Sequence, residues 1–288
     1  MKKMLLTLFF GLASLSILVG CVGQEFNPDG DITVISREDG SGTRGAFIEL
    51  FGVEQKNELN EKVDYTVETS VITNSTSVML TSVLNNPQAI GYISLGSYND
   101  SVKALKIDGV EATIANIKNG TYKIARPFNI ATKAGISEVA QDFINFILSS
   151  EGQAVVEANG YIAAVDGQPY SGIKPAGKIV VAGSSSVTPV MEKLKEAYLE
   201  INFNATIEIQ MSDSTTGMNS AADGICDIGM SSRALKTSEI DKGLIPTIIA
   251  MDGIAVIVNP KNTFESLSTA SVKEIYVGNF VSWSDITE

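Results

Sequence analysis

The chain has 288 residues, 44% of them hydrophobic, with 33 acidic against 21 basic side chains, a formal net charge of −12 and no histidine. That length and composition suit two ordinary folded units rather than a disordered chain. The acidity argues against a nucleic-acid partner, which needs basic patches, and the missing imidazoles remove Ser-His-Asp and Cys-His catalysis, HExxH zinc sites and histidine proton shuttles.

Residues 1–20, MKKMLLTLFFGLASLSILVG, place two lysines ahead of an apolar stretch without acids, which is the pattern of a secretory signal peptide rather than of a folded element. The stretch runs directly into LVGC, ending at Cys21. This resembles the lipobox of bacterial lipoproteins. It implies lipidation of Cys21 and a chain tethered to the extracellular face of the cytoplasmic membrane by acyl groups alone. Two acyl chains at ~0.8 kcal/mol per buried CH2 suffice for lasting attachment. Cys226, in GICDIGM, then has no partner for an intrachain disulfide and reads as a small core residue.

Further along, strand-like runs alternate with helix-like ones: DITVIS then TRGAFIELFG; AIGYISLG; KIVVAGS then TPVMEKLKEAYLE; ATIEIQMS then TTGMNSAADG; DIGMSS; and TIIAMDGIAVIVN. Such alternation predicts an α/β fold with largely parallel sheets, whose ligands lie beyond the carboxyl ends of the strands, where helices begin. Residues 163–178, AAVDGQPYSGIKPAGK, are rich in Gly, Pro and Ala, lack periodicity and read as a connector. The stretches on either side of it echo each other, each opening with an apolar strand, a Ser/Gly/Thr loop and a helix. Two similar units facing one another would produce that echo.

Four of the strand-to-helix loops suit an oxyanion. ISREDGSGTRG, residues 35–45, delivers Arg37, whose guanidinium can grip two oxygens of a tetrahedral anion, and the following glycines let the backbone come close. Arg37 alone would accept any oxyanion. Asp39 alters that, since a carboxylate beside a dianion repels it unless the ligand brings a proton to share. Phosphate has such a proton near neutral pH and sulfate has none, so the two residues together form a discriminating pair; a surface salt bridge in a turn is the plainer alternative. In VVAGSSSVTPVMEKL, three serines precede a helix with Pro189 in its first turn, and a helix start exposes free N–H groups with about half a positive charge. Capping would need only one of Ser184, Ser185 and Ser186. Ser212, Ser214, Thr215 and Gly217 repeat the arrangement, though capping explains more of it there, and Ser231 and Ser232 follow the short strand DIGM.

VAGSSSVTPVMEKL, DIGMSSRAL, IVNPKN, VSWSDI, ISREDGSGTRGAFIEL and AIGYISLG together resemble the substrate-binding protein of bacterial high-affinity phosphate ABC importers. The resemblance covers nearly all of residues 30–163 and 178–288. It implies an α/β, two-lobed fold of the periplasmic-binding-protein type II class that closes on inorganic phosphate and presents it to an ABC permease, expected to act as a monomer. Matched motif by motif, it implies phosphate contacts from Ser185 and Ser186, Ser214, Ser232, and the run Arg37, Asp39, Ser41, Gly42 and Thr43. Relatives usually have glycines where this chain has Met211 and Ser212.

The segment order is swapped. In the family the GSSSVTP to SWSDI half precedes the ISREDGSGT to GYIAA half, whereas here it follows, joined through the connector. This looks like a circular permutation, tolerated where the old ends lie close and the new break is exposed; an incomplete tandem gene is the rival explanation. Family topology then predicts crossings near RPFNIATK and MDGIAVIVNP, with one lobe over residues 128–255 and the other combining 24–127 with 256–288. Two other functions compete. A serine or phosphoryl-transfer enzyme would need a base or metal ligands, and GSGTR does not match the GxxxxGK[ST] phosphate loop. A surface adhesin or sensor could keep the fold with an altered or lost ligand.

Overall fold

The computed structural model describes residues 25–287; the expected signal peptide and the expected lipidation site Cys21 lie outside them. Eight strands form the path of one mixed sheet: β1 (Thr33–Arg37), β2 (Val71–Thr73), β3 (Ala89–Ser94), β4 (Ala125–Thr132), β5 (Gly177–Ser184), β6 (Ala205–Ser212), β7 (Ile228–Ser231) and β8 (Ile245–Val258). Their spatial order is β6-β5-β7-β4-β8-β3-β1-β2. At each end the pairing is parallel, β5 with β6 and β7, and β1 with β2 and β3. Antiparallel β4 and β8 join the two ends.

β8 is the link between the halves. Its first part, Ile245 to Gly253, pairs with β4, and its second part, Ile254 to Val258, pairs with β3. The apolar side chains divide at the same place. One core gathers Phe128, Phe143, Ile179, Leu194, Ile228 and Ile249. The other gathers Phe47, Tyr92, Ile124, Val256, Tyr276 and Trp283. Each of these large side chains, removed from water, contributes about 1.5–3 kcal/mol. The Phe47 and Tyr92 rings stack with centroids 3.9 Å apart.

The helices that matter for function start where parallel strands end: α1 (Gly42–Leu50) after β1, α2 (Thr76–Leu84) after β2, α5 (Thr188–Ile201) after β5 and α6 (Ser214–Ala222) after β6. Between them in the chain, α3 (Glu138–Ile147) and α4 (Ser150–Ala158) cover the first core. α3 has Ser137 as its N-cap and buries Val139, Phe143 and Ile147, the i, i+4 and i+8 pattern of a one-faced helix.

Residues 164–176 contain no helix or strand, yet this stretch is pinned. The buried Asp142 carboxylate accepts from Tyr170 Oη at 2.5 Å, Tyr198 Oη at 2.8 Å and the Ile173 backbone N–H at 3.1 Å. Asn202 Nδ2 donates to the Pro175 carbonyl at 3.0 Å. The two ends of the described chain are likewise neighbours: Ile32 N donates to Val281 O at 2.7 Å and Ser284 N to Pro28 O at 2.8 Å. A permuted order needs both a secured joint and adjacent new ends, and the fold has them.

Candidate oxyanion site between the lobes

The carboxyl ends of β1, β5, β6 and β7 point into one interlobe space, and the loops that follow carry most of the predicted residues. Arg37 is the last residue of β1, and its backbone N–H donates to Tyr92 Oη at 3.1 Å, which also shares a hydrogen bond with Ser36 Oγ at 2.9 Å. Burial pushes the Tyr92 phenol up to about 12, so it stays a neutral brace under the strand end.

From there the Arg37 guanidinium reaches the opposite lobe, where Nη2 donates to Ser185 Oγ at 3.0 Å. Beside it, Thr43 Oγ1 and Ser186 Oγ share a hydrogen bond of 2.8 Å, and Thr76 Oγ1 lies 3.3 Å from the same Ser186 oxygen. Ser232 N donates to Ser214 Oγ at 3.1 Å, with the two hydroxyl oxygens 3.4 Å apart. Gly42 presses its backbone against that pair: a Cβ there would stand 2.4 Å from Ser214 Oγ and 2.7 Å from Ser232 Oγ. Thr215 N donates to Gly40 O at 3.1 Å, a further bond between the lobes.

Arg37, Gly42, Thr43, Ser185, Ser186, Ser214 and Ser232 therefore meet in one buried cluster. Ser41 is buried as the N-cap of α1, its Oγ accepting from Arg44 N. The starts of α1, α2, α5 and α6 converge on these hydroxyls, so four positive helix ends face the same space, with some first-turn N–H groups already engaged by their caps and by the Gly40 carbonyl. With Arg37, this arrangement can bind an oxyanion inside an acidic protein because short-range donors outweigh the distant negative field.

Asp39 does not share this cluster, which corrects the expected pairing of Arg37 with Asp39. Its side chain is 95% exposed, and its carboxylate accepts from Arg44 Nη1 at 2.8 Å. Arg44, one turn into α1, also holds Asp64 at 2.8 Å and the Arg37 carbonyl at 2.8 Å, and so draws Asp39 outward. The carboxylate on Arg37 is Glu38 instead: Arg37 Nε and Nη2 donate to its two oxygens at 2.8 and 2.7 Å. Sequence reasoning missed Glu38 because neighbours in a strand point to opposite faces. β1 ends at Arg37, so the next residue is free to turn back. Thr76 was missed too; its signal was the run NSTS ahead of an apolar helix, an N-cap pattern like the other loops.

A second buried arginine lies in the strands that join the lobes. Arg126 on β4 stands opposite Asp252 on β8 in the ladder, with Nη2 to Oδ2 at 3.2 Å, and Asp252 Oδ1 accepts from Ser94 Oγ at 3.0 Å and Gly96 N at 3.3 Å. Burial pushes the Asp252 carboxyl up and the Arg126 guanidinium down, each partly offset by its partner.

The PBP superfamily domain matches residues 23–151 and 168–288 of this chain. The phosphate-binding protein PstS 2 of Streptococcus agalactiae serotype V is 56% identical over 289 residues, covering 100% of this chain and 99% of the relative. PstS 2 of Streptococcus pneumoniae serotype 4 is 44% identical over 290 residues, covering 99% of both chains. A crystal structure of a phosphate ABC transporter phosphate-binding protein from Streptococcus pneumoniae TIGR4 superposes with a TM-score of 0.70 at 45% identity, over 90% of this chain and 100% of the other. These matches run end to end, so the segment order of this chain is that of these relatives. The chain belongs to the PBP superfamily and, by identity over its whole length, to the family of these phosphate-binding proteins.

Proposed function

We infer that this chain is a receptor that binds inorganic phosphate between its two lobes and delivers it to an ABC permease. The observation that carries the inference is the cluster of one buried arginine and six hydroxyls, fed by loops of both lobes and four helix starts. Arg37, Ser41, Gly42 and Thr43 would hold one side of the anion, and Ser185, Ser186, Ser214 and Ser232 the other. Charge-assisted hydrogen bonds from Arg37 and the N–H groups supply most of the attraction.

Contacts made by both lobes exist only when these are closed, so phosphate shifts an open-to-closed equilibrium by its differential affinity for the two forms. The lobes, residues 24–127 with 256–288 and residues 128–255, would move about β4 and β8, and the closed form is what a permease would recognise. Micromolar affinity corresponds to about −8 kcal/mol, within reach of several charge-assisted bonds after ordering costs. Among the described residues no helix is long and apolar enough to cross a membrane. Lipidation of Cys21 would hold the receptor at the extracytoplasmic membrane face. It acts by binding and release, as a receptor rather than an enzyme.

Calorimetry of the lipid-free protein tests this function. Saturable binding of one phosphate per chain is expected, and absence of binding at millimolar phosphate would exclude it.

A further inference from the structure

We propose that Tyr161 and Ser97 are positioning residues that set the affinity for phosphate without touching the anion, by opposing closure of the lobes; this rests on the phosphate function inferred above. The structure is the closed arrangement, with Arg37 bonded to Ser185, Thr43 to Ser186 and Thr215 to Gly40 across the lobes. Among the described residues, five buried side-chain polar atoms have no hydrogen-bond partner. Three of them, Tyr161 Oη, Ser97 Oγ and Arg126 Nη1, gather beside Asp252 in the strands that join the lobes.

Their positions follow from the strands. Ile162 and Ala163 pair with Met251 and Ala250 of β8, which sets Tyr161 beside Asp252. Tyr161 is 2% exposed, and its ring centroid lies 5.5 Å from that of Phe128. The same ring packs against the backbone of Gly96 in the opposite lobe, where an added Cβ would collide with it. The turn Leu95–Ser97 is itself tied down, since Asp252 accepts from Ser94 Oγ and Gly96 N. The hydroxyls of Tyr161 and Ser97, one from each lobe, thus come near each other without reaching hydrogen-bonding geometry.

Ser97 also lines a crevice of about 250 Å³ between the lobes, with Thr76 and Leu80 on its own side and Ser185 and Pro189 on the other. Parting the lobes widens that crevice and lifts Gly96 from the Tyr161 ring, so water reaches both hydroxyls. Closing withdraws the water and returns no bond. A buried hydroxyl without a partner carries its whole desolvation cost, and only the closed form bears it here. The two hydroxyls therefore hold the ligand-free receptor open, and phosphate must offset them, because apparent affinity scales with the population of the binding-competent form. Arg126 Nε and Nη2 hold Asp252, so replacing that arginine would break an ion pair, whereas each hydroxyl can be deleted by itself.

Equilibrium dialysis of the lipid-free protein with radiolabelled phosphate provides the test, with circular dichroism confirming that each variant is folded. Tyr161→Phe removes one oxygen and should tighten phosphate binding about fivefold or more; a structural role alone would weaken binding or leave it unchanged. Ser97→Ala should act in the same direction, and it decides the matter if Tyr161→Phe does not fold. Tyr170→Phe is the control, since that hydroxyl is bonded to Asp142 inside one lobe, and its affinity should equal that of the parent. Unchanged or weaker phosphate binding in either folded variant, or an equal gain in Tyr170→Phe, would overturn the role of the two hydroxyls while leaving phosphate binding intact. A parent protein that retains no phosphate would defeat the function itself.

Discussion

Two buried arginines sit in different regions of this molecule and have opposite fates. Arg126, in the strands that join the lobes, faces an aspartate with no exposed surface, which also accepts from Ser94 and Gly96. Arg37, at the end of a strand in the cleft, faces a glutamate that is 22% exposed and borders a cavity. Both are salt bridges by distance, yet only one has a counter-ion with somewhere to go. A sealed pair fixes geometry, because removing one partner strands an uncompensated charge. A pair open on one side can exchange its carboxylate for a ligand.

That contrast yields predictions of decreasing size. Asp252→Ala should cost about 3–5 kcal/mol of unfolding free energy, since it leaves Arg126 buried and unpaired; a denaturant midpoint within error of the parent would show that the pair is not sealed. Arg37→Met should act mainly on binding, weakening phosphate by about 2–5 kcal/mol. It should change stability less than Asp252→Ala does, because Glu38 can turn to water. Urea titration and calorimetry on the same samples separate the two effects, and a variant that lost stability but kept phosphate would reverse the assignment of the two regions.

A third ion pair is intermediate and titrates. Burial works against the Glu239 carboxylate, but the bidentate bonds from Arg233, at 2.7 and 2.9 Å, and the Lys236 N–H outweigh it and hold its pKa below the ordinary glutamate value. A folded pKa below the unfolded one means that the unfolded chain binds the extra proton first as pH falls. The stabilisation is therefore complete above about pH 4.3, the unfolded value, and is lost as pH drops through the lower folded value. Glu239→Gln should be less stable than the parent by about 1.5–3 kcal/mol at pH 7, with the gap closing in acid. A gap independent of pH down to full protonation would remove the ion pair as its cause.

Much of this arrangement was legible in the sequence. Strand and helix periodicity marks the elements, and hydroxyl-rich loops before helices mark the site, since both signals are local. The motifs read as a swapped order, which the relatives matched end to end share, and Asp142, Tyr170 and Ile173 pin the joint on which that reading depends. The assignment of the acids was not legible. Glu38 and Asp39 are adjacent, and which of them reaches Arg37 depends on where β1 stops and on Arg44, whose pull on Asp39 and Asp64 is a tertiary fact. Arg126 and Asp252 gave no signal either, because the strand register that sets them opposite each other spans 126 positions of sequence.

Closure of both lobes on one anion is tested most directly by small-angle X-ray scattering of the lipid-free protein with and without phosphate. Saturating phosphate should reduce the radius of gyration, and Gly42→Ala, whose added methyl collides with Ser214 and Ser232 of the opposite lobe, should suppress that change. Bound phosphate with no compaction of the parent protein would contradict a site shared between the lobes.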